Sequence, residues 1–256
     1  AEDLVLRKAT LVKAQQIPVL ASVGKTFVQV YRQPKVAVIS TGDELVEPHE
    51  KPKIAQIRNS NAAQIMAQIK QMGFSGRYIG IAKDSKESTR EMLEEALDSS
   101  DVVLLSGGVS MGEFDFVPEI LEEKGIEILF KSLAVQPGRP TVFGKKDKQF
   151  FFGLPGNPVS SFVQFELLVK PLLYKMMGLT YKALPLKMPM GVSYTRKKAK
   201  RKSYIPVYFN EQGEVMPVEY NGSAHIHSYV HADGMISINI GETTLEKGQI
   251  IDVRQI

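Results

Sequence analysis

The stretch "DVVLLSGGVSMGEFDF", residues 101–116, decides the fold class of this chain. Its first five residues are typical of a buried β-strand, because a short aliphatic and β-branched run stops abruptly at glycines. A loop rich in glycine, serine and acidic residues follows directly. In open α/β sheets, ligands bind in the crevice outside the carboxyl ends of the strands. The stretch therefore predicts an α/β sheet with a binding loop at its edge.

The surrounding sequence, residues 34–178, alternates strand and helix patterns, which is typical of a parallel sheet covered by helices. Helix signals between the strands include a capping-box pattern from Ser88 to Glu91, and Asn157 as N-cap before Pro158. Another helix is predicted to end at Gly73. We predict an open, mostly parallel sheet with helices on both faces, whose strands lie at residues 35–40, 77–82, 101–105, 126–130 and 149–153.

Two further regions flank this α/β unit. Residues 179–256 change to short alternating segments with many turn residues, which predicts a small all-β domain, either a barrel or a sandwich. Residues 1–33 predict a strand, a short helix around residues 14–22 and another strand, too little for a core of their own. We interpret residues 1–33 as the remnant of a linker domain.

The composition excludes several classes of protein. The chain has 256 residues, 43% of them apolar, and no cysteine, so disulfides, thiolate zinc sites and cysteine nucleophiles are excluded and a cytoplasmic location is favoured. No apolar run approaches the roughly 18 residues of a membrane span, and the first ten residues lack a signal peptide pattern. Much of the net charge of +4 lies in "RKKAKRK", residues 196–202, which we interpret as a solvated loop. We therefore predict a soluble protein that binds neither membranes nor nucleic acid, whereas small anionic ligands fit its charge.

Five loops follow the predicted strands, and nearly all polar and glycine-rich residues of the α/β unit lie in them. Glycines without a Cβ let an oxygen-rich ligand approach backbone N–H groups, and the N-terminus of the helix after Asn157 offers further donors. Arg139 is a candidate to neutralise a bound anion. The loop after residue 105 is therefore predicted to hold a phosphate through Ser106, Gly107, Gly108, Ser110 and Gly112.

Acidic residues lie on three of these loops. Glu44, Asp84 and Asp115 are expected at the same edge of the sheet, and their oxygen atoms are ligands that Mg²⁺ prefers. Bound there, the ion would polarise a phosphate for attack. The alternative is that single acids on such loops cap turns or helices.

Two other patterns are set aside. "GKT", residues 24–26, is not a phosphate-binding P-loop, because Val19 occupies the position of the first glycine of that motif. Three histidines, 225, 227 and 231, have no thiol partner in this cysteine-free chain, so we interpret them as surface residues rather than as metal ligands.

The loops together resemble those of the molybdopterin molybdenumtransferase family, which includes MoeA in bacteria and gephyrin in animals. The matching stretches are "STGDELVEP", "IRNSNAAQI", "IAKDSKES", "SGGVSMGEFDF", "VQPGRPTVFG" and "GLPGNPVSSF", in the order and at the spacing of the family. Weaker similarity extends through "GSAHIHSYVHADGMISI" and over the first 34 residues. The resemblance implies a MogA/MoaB-like sheet and a homodimeric enzyme that binds adenylylated molybdopterin, releases AMP and inserts molybdenum from molybdate.

The resemblance also implies roles for individual residues. Glu44, Asp84, Asp115 and Asp3 would be the functional acids, with Asp84 and Asp115 holding Mg²⁺. Molybdate would bind near Pro137, Arg139, Ser160 and Arg201. The loops that hold the pterin and the phosphates would use Thr41, Ser60, Asn61, Ser106, Gly107, Gly108, Ser110, Gly112, Gly138, Pro155, Gly156 and Asn157.

Two departures from the family pattern limit these expectations. Family members usually carry lysine where this chain has Gln136, so the affinity for molybdate or the preference over tungstate is expected to differ. The linker and inserted domains that begin the chains of the family are absent, so we expect a fragment whose active site the partner's N-terminal half would complete. Two alternatives stay open: an adenylyltransferase that acts on molybdopterin with ATP, and a gephyrin-like scaffold without catalysis.

Overall fold

A six-stranded sheet forms the centre of the structure, a computed structural model that describes residues 3–108, 116–181, 186–220 and 222–256. Its strand order is β4-β1-β5-β9-β8-β6. The neighbours β4, β1, β5 and β9 run parallel, while β8 is antiparallel to both β9 and β6. The strands of this sheet are β1 (Val36–Thr41), β4 (Gly76–Ala82), β5 (Val102–Ser106), β6 (Glu127–Phe130), β8 (Val142–Lys146) and β9 (Gln149–Leu154).

The predicted fold class is confirmed, with one strand more than the sequence predicted. We missed β8, which forms a hairpin with β9 through Asp147 and Lys148. Asp147 has a φ of 51°, the left-handed conformation that a tight hairpin turn needs. Asp-Lys is a weak turn signal compared with Asn-Gly, so the sequence does not indicate a hairpin here and "TVFGKK" is not predicted as a strand.

Helices cover both faces of the sheet because alternate strand residues point to opposite sides. Val36 and Val38 belong to the apolar cluster packed against residues 60–71 and 165–176, whereas Ala37 and Ile39 belong to the cluster packed against residues 86–99 and 117–123. The helices are α1 (Gln16–Ser22), α2 (Ser60–Gln71), α3 (Lys86–Ser99), α4 (Val117–Glu123), α5 (Pro158–Gln164) and α6 (Lys170–Met176), and a π-helical turn, Phe165–Val169, joins the last two.

The N-cap of α3 differs from the prediction. Ser85, not Ser88, caps the helix and accepts a hydrogen bond from the Ser88 N–H. Ser88 lies one turn inside, and its Oγ accepts from the Lys83 N–H at 3.0 Å. Both serines therefore accept backbone hydrogen bonds at the start of a helix whose N-cap lies three residues earlier than the sequence pattern indicated.

The C-terminal region is rich in strands, as predicted, and its main sheet has the order β10-β16-β14-β12-β13. A bridge between Met190 and Val215 connects the two ends of this order, so the sheet nearly closes into a barrel. The strands here are β10 (Leu186–Pro189), β11 (Tyr194–Thr195), β12 (Lys202–Phe209), β13 (Val215–Pro217), β14 (Gly234–Ile238), β15 (Thr244–Leu245) and β16 (Ile250–Gln255).

Residues 3–33 contain α1 but neither of the two predicted strands. Most apolar side chains of this segment are exposed, Phe27 to 92%. The segment has no strand partner among the described residues, so its backbone does not form the hydrogen-bonded ladder of a β-sheet. The segment joins the sheet at its end, where Arg32 pairs with Asp101.

None of the helices in the described residues combines the length and the apolar character needed to cross a membrane.

Candidate functional site: a cleft at the carboxyl edge of the sheet

A cleft of about 800 Å³ opens at the carboxyl ends of the parallel strands. One side is the short ribbon of β2 (Leu45–Val46) and β3 (Ile57–Arg58), and Ala224 and Ile226 of the C-terminal region contribute to the lining. Predicted site residues that line this cleft are Thr41, Glu44, Ser60, Asn61, Asp84, Ser106, Gly107, Gly108, Pro155, Gly156 and Asn157.

All five predicted loops reach the cleft. Thr41 ends β1 and Glu44 lies in the loop that follows it, Asp84 follows β4, and Ser106 ends β5. The loop after β9 contributes residues 155–158, whereas the loop of residues 135–141 contributes Pro140. Their convergence follows from the parallel order of β4, β1, β5 and β9, which brings these carboxyl ends to one edge.

Asn61 holds two of the cleft loops together. Its Nδ2 donates to Ser106 Oγ and to the Gly156 carbonyl, each at 2.8 Å. Asn61 and Ser106 are buried, so the hydrogen bond between them is shielded from water, whereas the one to the exposed Gly156 is only partly buried. Asn61 therefore positions the loops after β5 and β9 in addition to lining the cleft.

A second polar network lies beneath the cleft. Asn59 caps α2 by accepting from the Ala62 N–H at 3.2 Å, and the same Oδ1 accepts from Ser40 Oγ at 3.1 Å. Asn59 Nδ2 donates to Tyr78 Oη at 2.9 Å, and Tyr78 donates to Glu47 Oε1 at 2.7 Å. Burial, followed by the hydrogen bond to Glu47, raises the pKa of Tyr78 well above its usual value. We call this network, together with Asn61 and Ser106, the cleft floor.

The glycines of the loop after β5 allow close packing, but one of their predicted donors is engaged. A Cβ on Gly107 would lie 2.5 Å from the Thr41 carbonyl oxygen, and one on Gly108 would lie 2.7 Å from Thr41 Cγ2. The Gly107 N–H, expected to face a ligand, donates to Leu154 O at 3.1 Å. The β5–β9 ladder extends one residue further than expected and takes up this donor.

The helix N-terminus after Asn157 is also partly occupied. The Val159 N–H, predicted to be free for an anion, donates to Ser223 O at 3.1 Å. Asn157 is the N-cap residue without a side-chain cap, and its Nδ2 donates to Ser223 Oγ at 2.9 Å. The C-terminal region, whose docking the sequence did not indicate, takes up these groups.

Two of the predicted acids, Glu44 and Asp84, line the cleft. Asp84 accepts from Thr41 Oγ1 at 3.3 Å and from the Asp43 N–H at 3.2 Å, while Asp43 accepts from the Asp84 N–H at 3.0 Å. Glu44 folds over Gly42, where an added Cβ would lie 2.5 Å from Glu44 Oε2. Ser110, Gly112 and Asp115 lie outside the described residues, and within those described no three acidic or histidine side chains form a metal-binding group.

The remaining predicted residues do not line the cleft. Asp3 and Arg139 are exposed. Pro137, Gly138, Ser160 and Arg201 belong to the junction between the α/β unit and the C-terminal region, which we call the seam. We define the seam as residues 135–138, 159–164, 201–203 and Tyr229.

The seam is built on β7 (Val135–Gln136), which adds to the C-terminal sheet by pairing parallel with β12. Gln164 Nε2 donates to the Pro137 carbonyl at 3.0 Å, and Arg201 Nη1 approaches the Val135 carbonyl at 3.5 Å. Gly138 lies against Gln164, where an added Cβ would be 2.2 Å from Nε2.

Sequence reasoning missed several residues of the cleft. Arg58 lines it from the β2–β3 ribbon, beside the apolar side chains of Leu45 and Ile57. Arg58 stood inside the quoted stretch "IRNSNAAQI", but only its serine and asparagine were assigned a role. The signal for Arg58 is its place one residue before the cap of α2, at the edge where ligands bind.

Comparisons with known proteins extend these observations. The chain matches the family described as "Probable molybdopterin binding domain" over residues 37–175, and the "MoeA C-terminal region (domain IV)" over residues 190–256. Molybdopterin molybdenumtransferases of Staphylococcus epidermidis and of Staphylococcus aureus strain Mu50 are 35% and 33% identical over 99% and 98% of this chain.

A solved structure from this group of proteins is also similar to the chain. The molybdopterin biosynthesis MoeA protein from Pyrococcus horikosii is similar over 98% of this chain, with a TM-score of 0.84 and 33% identity. The chain spans 61% of that structure and 61% of the curated relatives it matches. The first family match covers more than half of the chain, and this protein therefore belongs to the probable molybdopterin-binding domain family.

Proposed function

We propose that this protein acts in molybdenum cofactor biosynthesis as a molybdopterin molybdenumtransferase. It binds adenylylated molybdopterin, cleaves the phosphoanhydride with release of AMP, and inserts molybdenum from molybdate, which is a substrate. The observation that carries the proposal is the cleft itself, in which five loops of the family pattern meet around Glu44 and Asp84. The relatives that bear this enzyme name match almost the whole chain, which supports the same reaction.

The acidic residues are proposed to serve the phosphoanhydride cleavage. Carboxylate oxygens are suitable Mg²⁺ ligands, so the donor chemistry of the cleft fits this ion, with Asp84 and Asp115 as its holders. Bound Mg²⁺ would supply charge stabilisation at the phosphate. Asp84 is held in place by Thr41 and the Asp43 backbone, and Glu44 adds a further carboxylate in the same cleft. Asp3 stays a prediction.

Molybdate is proposed to bind near the seam. Pro137 contacts α5 through Gln164, one helical turn after Ser160, and Arg201 lies beside β7. This proximity supports a common oxyanion site of Pro137, Ser160 and Arg201, with the exposed Arg139 nearby in the chain. Gln136 replaces the cation usual in the family, so the choice between molybdate and tungstate is a measurable property of this protein.

The three predicted units, residues 1–33, 34–178 and 179–256, are also part of the proposal, as are a homodimer and a cytoplasmic location. The near-closure of the C-terminal sheet and its separate apolar cluster support the last boundary.

The experiment that tests the function measures AMP release from adenylylated molybdopterin in the presence of Mg²⁺ and molybdate. We expect Asp115→Ala to abolish release, because it removes a proposed Mg²⁺ ligand, whereas Asp98→Ala, at an exposed acid outside the cleft, keeps full activity. Full activity of Asp115→Ala would contradict the metal role. Formation of pyrophosphate from ATP and molybdopterin, without AMP release from the adenylylated substrate, would identify an adenylyltransferase instead.

A further inference from the structure

Arg58 is the single cation among the described residues that line the cleft. The other charged residues of the lining are the carboxylates Glu44 and Asp84. Arg139, which the sequence suggested as the neutralising cation, is exposed and does not line the cleft. An anionic ligand in this cleft therefore has one positively charged side chain of the described chain available to it.

The backbone of Arg58 is held firmly at the side of the cleft. The β2–β3 ribbon pairs Val46 with Arg58, and backbone hydrogen bonds on either side of Arg58 extend it. The Ile57 N–H donates to Glu44 O at 2.7 Å, and the Asn59 N–H donates to Val46 O at 2.8 Å. The ribbon thus fixes where the Arg58 side chain begins.

The guanidinium itself is oriented but not neutralised. Arg58 Nε donates to the Pro48 carbonyl at 3.0 Å. Within the part of the chain that the structure describes, Arg58 makes no other side-chain hydrogen bond and no ion pair. Its two terminal nitrogens are therefore left for a ligand, in the planar fork that matches two oxygens of a phosphate.

Three of the backbone donors that could otherwise serve an anion are engaged within the chain. The N–H groups of Gly42, Gly107 and Val159 donate to Ala82, Leu154 and Ser223 carbonyls. Gly42 and Gly107 line the cleft, and Val159 follows the lining residue Pro158. Since the two carboxylates repel a phosphate, a positively charged side chain in the lining favours its binding.

We propose that Arg58 binds a phosphate group of the nucleotide part of the cleft's ligand through its two Nη atoms. This inference rests on the proposed function, which supplies a ligand with an adenylyl phosphate. Arginine, unlike lysine, can hold two phosphate oxygens at once, so Arg58 also orients the phosphate.

The test compares nucleotide binding with and without the phosphate by isothermal titration calorimetry. The probes are AMP, adenosine and inorganic pyrophosphate, and the variants are Arg58→Gln, Arg58→Lys and Lys53→Gln. Lys53 is an exposed cation on the loop that leads into β3, outside the cleft lining, so Lys53→Gln makes the same change of charge. Circular dichroism verifies that each variant is folded.

We expect Arg58→Gln to weaken AMP binding about tenfold, the low end for charge-assisted hydrogen bonds, because the guanidinium is exposed. Adenosine binding stays unchanged, Arg58→Lys loses less than Arg58→Gln, and Lys53→Gln has no comparable effect. Wild-type affinity of Arg58→Gln for AMP overturns the inference and leaves the proposed function intact. Equal losses in Arg58→Gln and Lys53→Gln overturn it as well, because they report only net charge.

Pyrophosphate binding distinguishes a failure of the proposed function from a failure of the role proposed for Arg58. If the wild type does not bind AMP but binds pyrophosphate, and Arg58→Gln loses that binding, Arg58 is an anion ligand and the adenylylated substrate is wrong. If the wild type binds neither probe, both proposals fail.

Discussion

The cleft floor contains a half-buried tyrosine and the seam a buried one, and the two hydroxyls have different surroundings. Tyr78 in the floor donates to Glu47 and accepts from Asn59. Tyr229 in the seam packs its ring against Phe162, with centroids 5.1 Å apart, and its buried hydroxyl has no hydrogen-bond partner in the described chain. One region buries polar groups as a connected network, whereas the other buries them among apolar side chains.

The difference indicates what each region is built for. The floor fixes the positions of loops that must present side chains to a ligand, and a satisfied network is rigid. The seam joins two parts of the chain mainly by apolar packing of residues such as Val159, Val163 and Tyr229. Unpaired polar atoms of Ser161 and Gln164 accompany that packing. The comparison predicts that the seam is sensitive to shape and the floor to hydrogen bonding.

The largest expected effect is a change of shape in the seam. Gly138→Ala places a Cβ 2.2 Å from Gln164 Nε2 and 2.7 Å from its Cγ, at a φ of 104°. Backbone strain and overpacking together should lower the free energy of unfolding by about 3 kcal/mol. Urea denaturation measures this loss.

Gly213→Ala is the matched control for this change. Gly213 has a φ of 74° and no atom within 4 Å of an added Cβ, so only backbone strain remains. We expect a loss of about 1 kcal/mol. Equal losses at the two positions would show that the contact with Gln164 is unimportant.

The next effect is a loss of hydrogen bonds in the floor. Asn61→Ala removes the donor to Ser106 Oγ and to Gly156 O, both at 2.8 Å, and should cost about 2 kcal/mol in urea denaturation. It should also weaken ligand binding, because the loops after β5 and β9 are no longer tied together.

Gln64→Ala, on the same helix, removes an amide whose buried Nε2 has no partner in the described residues. It should cost clearly less than Asn61→Ala. The reverse order would contradict the view that the floor depends on its hydrogen bonds.

These regions also differ in how far the sequence could predict them. The cleft was predictable because parallel strands deliver their following loops to one edge, whatever the details of each loop. Thr41, Asp84 and Gly156 meet there as expected. That rule places loops but says nothing of individual N–H groups, so the engagement of Gly107 by Leu154 could not be foreseen.

The seam could not be predicted for a different reason. Its central element, β7, is two residues long and pairs with β12 across a sequence distance of more than 60 residues. A strand that short has no periodicity to detect. Docking of Ser223 onto the start of α5 is equally invisible in the sequence, because it depends on how two separate sheets are joined.

A smaller effect distinguishes the two tyrosines at neutral pH. Tyr78→Phe leaves Asn59 Nδ2 and the Glu47 carboxylate without this partner, so we expect a loss of about 1–2 kcal/mol. Tyr229→Phe removes a buried hydroxyl that lacks a partner, so the free energy of unfolding should stay unchanged or rise by up to about 1 kcal/mol. Urea denaturation at pH 7 compares the two variants. A marked loss in Tyr229→Phe would show that its hydroxyl is bonded after all.

The smallest expected effect is a change in how the free energy of unfolding depends on alkaline pH. Here Tyr78 and Tyr229 should behave alike. Burial is the largest cause that raises the pKa of Tyr78 and of Tyr229, followed by Glu47 for the first and Tyr220 for the second. The native state therefore keeps these protons at a pH where the unfolded chain, with a tyrosine pKa of about 10, releases them. The contribution of these two tyrosines to the free energy of unfolding should be constant below that pH and fall as the pH rises above it.

Either Phe variant should lose stability less steeply above pH 10 than the wild type, because one proton that only the native state retains is gone. Denaturation series at pH 9 and pH 10.5 would measure the two slopes. A variant whose slope equals that of the wild type would show that its tyrosine is not protected by burial. A lower stability of Tyr78→Phe at pH 7, together with flatter slopes in both variants, would separate the hydrogen bonds of the floor from the burial that both regions share.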